Sequence, residues 1–154
     1  MTRINLVPVD ELADQHLIAE YRELPRCIKN DIDVSVAPDH YVLGKGHVKW
    51  ARKNWKFLLN RFDQICKEMD HRGFKHEFSA KDLETFFEEH YDLPIVDFIP
   101  SRNEMELSRS RLLEKLSKKP FFYRWTKRPI PEWTKHHVLF QPPSWTILTS
   151  NRIK

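Results

Sequence analysis

The stretch from Gly46 to Arg72 constrains the fold more than any other. Val48, Ala51, Trp55, Leu58, Phe62, Ile65 and Met69 recur at three- and four-residue spacing, which gathers them on one face of a helix and leaves polar residues opposite. Gly73 follows, where helices often end in a left-handed residue. A strand would scatter those side chains over both faces, so the pattern predicts the longest helix of the chain, its aromatic rings in a core. Ser101-Arg-Asn-Glu104 is a capping box whose helix should reach Lys118 before Pro120 stops it, with Met105, Leu112 and Leu116 on its core side. Ser79-Ala-Lys-Asp82 has the same form and opens a shorter helix to His90. Three glycines in 154 residues also favour helices. The expected fold is all-α, a single compact domain over residues 1–154, built of three main helices with irregular loops.

The first of those helices belongs to the N-terminal stretch. Asp10 is the candidate N-cap, and Pro25 should break the helix. Ala13, Leu17, Tyr21 and Leu24 form its buried stripe. His16 and Glu23 are stacked on the remaining face, with Gln15 and Arg22 beside them and Arg26 one turn further. A carboxylate between two guanidinium groups suits proton transfer next to bound phosphates. An ordinary amphipathic helix with solvated charges has the same pattern.

Thr2 supplies a second kind of chemistry. A small second residue lets methionine aminopeptidase remove Met1, leaving a free α-amine. Its reference pKa is about 7.7–8.0 against about 10.4 for lysine, so near neutral pH far more of it is unprotonated. Such an amine can attack an aldehyde-like carbon and form a Schiff base.

Charge and cysteine usage narrow the classes without choosing one. The net charge of +4 and pI near 9.1 fit a nucleic-acid partner but also fit many proteins without one. Cys27 and Cys66 form no close pair and point to a reducing compartment. No apolar run is long enough to cross a bilayer and no signal-peptide pattern appears, so a cytoplasmic protein with no membrane partner is expected. Residues 27–45 read as a connection. Gly44-Lys-Gly46 has no following Ser or Thr to make a phosphate loop.

Further candidates lie downstream. His47 and Lys49 enter the long helix where either could meet a phosphate or simply face solvent. Arg111, Lys115 and Lys118 follow at spacings that can track a phosphate backbone. Phe121-Phe-Tyr-Arg-Trp-Thr-Lys-Arg128 interleaves rings with positive charge, as binders of distorted or single-stranded DNA do, with Tyr123, Arg124 and Lys127 the best contacts. Glu84, Glu88 and Glu89 form an acidic patch that should face away from DNA. His136 and His137 belong to no metal-ligand set, and Trp133, Val138, Leu139, Phe140 and Trp145 suggest a tail packed on the body.

Several words of this sequence resemble the phage-type pyrimidine-dimer DNA glycosylase and abasic-site lyase family, typified by phage endonuclease V. They are Thr2-Arg-Ile-Asn-Leu6, Glu11-Leu-Ala-Asp-Gln-His-Leu17 and Ala19-Glu-Tyr-Arg-Glu-Leu-Pro-Arg26, then Leu43-Gly-Lys-Gly-His-Val48, Arg72-Gly-Phe74 and Ser108-Arg-Ser-Arg-Leu-Leu-Glu-Lys115. The resemblance covers residues 2 to about 130. It departs at 27–45, where the family has a longer basic segment and this chain has Asp31, Asp33 and Asp39, and at 130–154, a family-atypical extension.

The resemblance implies a mechanism and a partner. Thr2 and Glu23 would be catalytic, with the N-terminus entering between helices so that Thr2 lies near Glu23. Arg3, Gln15, His16, Arg22, Arg26, Arg111, Lys115, Tyr123 and Arg124 would contact double-stranded damaged DNA, which is kinked, with the adenine opposite the lesion flipped out. The Thr2 amine would displace the 5′ base of a cyclobutane dimer, and β-elimination would then cut the strand. The protein would work as a monomer with no metal and no cofactor. Two other classes fit the same residues: a glycosylase or lyase for another damaged or modified base, and a non-catalytic binder of distorted DNA.

Overall fold

The computed structural model describes residues 4–29, 35–90 and 95–135. Among the described residues six helices follow one another: α1 (Asp14–Lys29), α2 (His47–Lys53), α3 (Trp55–Arg72), α4 (Ala80–His90), α5 (Arg102–Lys118) and α6 (Glu132–Lys135), with a 3-10 turn over Val9–Glu11 ahead of α1. No strand occurs among the described residues. The all-α expectation holds, with α1, α3 and α5 as the three main helices.

Two helix boundaries differ from the sequence reading. Asp10 lies in the 3-10 turn, and Leu12 is extended (φ −75°, ψ 139°), so α1 starts at Asp14. Its first N–H is satisfied by the Arg124 carbonyl at 2.7 Å, a partner far along the chain. At its other end α1 passes Pro25 and continues to Lys29. Proline inside a helix costs about 3 kcal/mol, whereas full burial of a leucine contributes about 1.5–3 kcal/mol. Leu24 and Cys27, on either side of Pro25, are both fully buried, and together they hold the last turn in place.

The predicted long helix is two helices. Asn54 separates α2 from α3, its N–H reaching the Trp50 and Ala51 carbonyls and its side-chain amide donating to the Trp50 carbonyl at 2.9 Å. That local side-chain bond competes with helix continuation. The apolar stripe still runs through the break: Ala51, Leu58, Phe62, Ile65 and Met69 are buried, and Val48 and Trp55 pack against them. Gly73 ends α3 in the left-handed region (φ 84°), as expected.

The core forms where α1 packs on α2 and α3, with α4 against α3. Helix α5 opens with the predicted capping box at Ser101 and Glu104 and buries Leu112 and Leu116. The buried stripe of α1 is Leu17, Glu20, Leu24 and Cys27, continuing from the buried Ala13 just before the helix, with Tyr21 at its margin. Residues 122–135 are drawn onto this body by polar anchors. Asp14 accepts from Arg72 Nη1 (2.8 Å) and from the Thr126 hydroxyl (2.6 Å). Glu68 accepts from Arg72 and Arg128, and Glu11 accepts from both Trp125 and Trp133. The start of the 130–154 segment is therefore packed on the helices; Val138, Leu139, Phe140 and Trp145, like His136 and His137, lie outside the described residues.

Candidate active site and DNA interface

The N-terminal segment threads through the core. Ile4, Leu6 and Val7 are buried, and a buried backbone needs partners for its polar groups. Those partners come from every side. The Ile4 N–H donates to His47 Nε2 at 3.1 Å, and the Ile4 carbonyl accepts from the Tyr41 hydroxyl at 2.6 Å. The Leu6 N–H donates to Ser108 Oγ at 2.9 Å. Asn5 donates its side-chain amide to Glu20 at 2.8 Å, and Glu20 also receives the guanidinium of Arg61. Helices α1, α2, α3 and α5 thus converge on residues 4–6. Burial, the largest influence, pushes the Tyr41 phenol above the ordinary tyrosine range, with a hydrogen bond to Ser108 opposing it.

His47 corrects the sequence reading. It neither faces a phosphate nor lies in solvent: it is 1% exposed, with Nδ1 2.7 Å from the Val42 carbonyl. That carbonyl takes the ring proton, which leaves Nε2 free to accept. Gly46, just before it, has φ 91°, and a Cβ there would stand 3.1 Å from Pro38, so the turn into α2 calls for glycine.

A second group forms around the first half of α1. The Gln15 amide donates to the Phe122 carbonyl (3.0 Å) and accepts from the Arg124 N–H (3.2 Å). Its side chain therefore fixes the 122–124 loop against α1. The His16 ring lies 4.6 Å from the Tyr123 ring, and its Nε2 is buried without a hydrogen-bond partner. Burial first, and the Lys115 charge second, lower the His16 pKa to about 4, so the ring is neutral at physiological pH. Burial also pulls Lys115 below the ordinary lysine range, with Arg111 acting in the same direction. The expected basic row on α5 is interrupted, because Glu114 pairs with Arg111 (3.2 Å) and approaches Lys118 (3.7 Å). Among the described residues Lys115 has no ion-pair partner.

Seven residues beyond His16, Glu23 stands on the same face of α1, about 10 Å along the axis. Its carboxylate is one-quarter exposed and accepts from Arg26 Nη1 at 3.1 Å. Arg22 is exposed and lines an open groove of about 900 Å³ with Tyr21, Gly73 and His76. The structure thus joins Gln15, His16, Lys115, Tyr123 and Arg124 in one cluster and pairs Glu23 with Arg26 further along. Thr2 and Arg3 lie outside the described residues. Phe121 and Phe122 are more than half exposed beside this cluster, whereas Trp125 is core. Among the described residues no three His, Cys, Asp or Glu side chains converge to hold a metal, and no helix is long and apolar enough to cross a membrane.

The residues that sequence reading missed are the buried polar ones. Glu20 had a signal: it falls on the apolar stripe of α1, three after Leu17 and four before Leu24. Tyr41 and Ser108 had none, since their partners are 37 and 102 residues away.

The family model described as pyrimidine dimer DNA glycosylase matches residues 1–82, slightly more than half of the 154-residue chain. That span holds the buried N-terminal segment, Glu20, Glu23, His47 and all of α3. The chain belongs to the pyrimidine dimer DNA glycosylase family, DNA-binding glycosylases of DNA repair.

Proposed function

We propose that this chain, acting as one domain and as a monomer in the cytoplasm, removes the 5′ base of cyclobutane pyrimidine dimers in duplex DNA and then cuts the strand as an abasic-site lyase. The observation that carries the reading is the pinning of residues 4–6 beside α1. Covalent geometry keeps the Thr2 nitrogen within about 7 Å of the Ile4 nitrogen. Asn5 is held by Glu20, and Glu23 is the next residue on that side of α1, with Cβ atoms about 5–6 Å apart. A terminal amine within that distance can approach the Glu23 carboxylate, one-quarter exposed and flanked in sequence by Arg22 and Arg26.

The chemistry follows in balanced steps. The unprotonated Thr2 amine attacks C1′, the glycosidic bond breaks, and the base leaves with its bonding pair. Opening of the sugar ring gives a protonated imine between C1′ and the Thr2 nitrogen. That imine acidifies the C2′ hydrogen; loss of this proton expels the 3′ phosphate by breaking the C3′–O bond. Water then hydrolyses the imine and frees the amine. Glu23 stabilises the cationic sugar and assists the proton transfers. Arg3, Arg22, Arg26, Arg111, Lys115 and Arg124 hold phosphates, while Gln15 sets the 122–124 loop so that Tyr123 and its neighbours meet the distorted duplex. His16, neutral and with its ring tilted against that of Tyr123, offers a hydrogen bond there rather than a charge.

Borohydride trapping tests the reading. The untagged, N-terminally processed protein is incubated with duplexes carrying a thymine dimer, an abasic site or no damage. Covalent product on the first two alone is expected. Product on the abasic duplex only would restrict the activity to a lyase or move it to another base. No product on any duplex would leave a DNA-binding protein without this chemistry.

A further inference from the structure

We propose that His47, assisted by Tyr41, is a positioning residue for the terminal amine: the two side chains grip residue 4 by both of its backbone groups and so set where the chain two residues earlier can reach. The inference rests on the terminal-amine reading above and adds residues to it that touch no substrate.

The grip has an unusual form. A buried backbone N–H and C=O are most often paired within a helix or a sheet ladder. Ile4 belongs to neither, and both of its groups are held by side chains, His47 Nε2 at 3.1 Å and Tyr41 Oη at 2.6 Å. All three residues are essentially excluded from solvent. Each gripping side chain is itself fixed. His47 is tied through Nδ1 to Val42 and stacks on Trp50, while the Tyr41 ring meets both His47 and Trp50 edge-on. The Tyr41 N–H donates to Glu104 at 2.7 Å, and Glu104 is locked in the capping box of α5. Because planar peptides leave only two soft dihedrals per residue, fixing residue 4 narrows the range open to an amine two residues earlier. Misplacing a reacting group by about 1 Å costs on the order of 100-fold in rate, so the grip acts on rate rather than on DNA affinity.

Four processed proteins decide it: wild type, His47→Gln, His47→Leu and Tyr41→Phe. Circular dichroism and thermal melting establish which are folded. For each, the single-turnover rate of imine formation on an abasic duplex is measured by borohydride trapping, and affinity for a duplex with a tetrahydrofuran site is measured at the same salt. His47→Leu should lose about 100-fold in rate with affinity within about threefold. His47→Gln places an acceptor oxygen near the former Nε2 and should recover to within about tenfold of wild type; Tyr41→Phe should lose about tenfold. Folded His47→Leu at the wild-type rate, equal losses in the Leu and Gln variants, or losses of rate matched by losses of affinity would each overturn the proposal. If His47→Leu does not fold, Tyr41→Phe and His47→Gln carry the decision, and wild-type rates in Tyr41→Phe overturn it. Failure of the wild type itself to trap would instead refute the terminal-amine reading.

Discussion

Asn5 donates its side-chain amide to Glu20 at 2.8 Å, and Glu20 in turn holds the guanidinium of Arg61. Both charged side chains are almost wholly buried. Removing one partner of such a pair strands the other charge, at about 3–5 kcal/mol. Glu20→Ala should therefore lower the melting temperature by roughly 10 °C and loosen the N-terminal segment. Thermal denaturation of the purified variant checks this, and an unchanged melting temperature would contradict it.

His16 makes acid stability testable. Its folded pKa of about 4 lies below the ordinary 6.5, so between those values the unfolded chain takes up a proton that the folded chain refuses. Stability from the neutral ring is complete above pH 6.5 and declines as pH falls toward 4, by on the order of 3 kcal/mol in total. His16→Phe keeps a ring against Tyr123 and cannot titrate. Its melting temperature should drop several degrees less than that of wild type between pH 7 and pH 4.5. Parallel pH profiles would show that His16 is not the group responsible.

How much was legible follows from how local each signal is. The Ser101–Glu104 capping box and the stop at Gly73 depend on neighbours within a turn, and both stand as read. The break at Asn54 is also local, but it arises from one side-chain amide bonding the Trp50 carbonyl, a choice that apolar periodicity does not record. Pro25 was overruled by burial of Leu24 and Cys27, a tertiary effect. His47 reads as a polar residue at a helix entry because its acceptor role depends on Ile4, 43 residues away. Of the candidate residues, Gln15, His16, Lys115, Tyr123 and Arg124 lie together in the fold; what holds them there, Asp14, Thr126 and the Gln15 amide itself, was not legible.

Glu23→Gln separates binding from chemistry. The amide keeps the size of the carboxylate but not its charge, so affinity for an abasic-analogue duplex should stay within about threefold, while dimer excision in a single turnover should fall by about 100-fold or more. Excision at the wild-type rate would remove Glu23 from the mechanism.

Lys115 should act as a phosphate contact. Lys115→Ala is expected to weaken binding equally on damaged and undamaged duplexes and to reduce the slope of log K against log salt by about 0.9. A loss confined to damaged DNA with an unaltered salt slope would assign it a role at the lesion instead.

The identity of the nucleophile is the central claim, and one measurement addresses it directly. The borohydride-reduced adduct on an abasic duplex is digested with protease and nuclease, and the modified peptide is located by mass spectrometry. The account predicts that the sugar remnant sits on the α-amine of Thr2 in the processed chain. An adduct on Lys115 or any other lysine would contradict it.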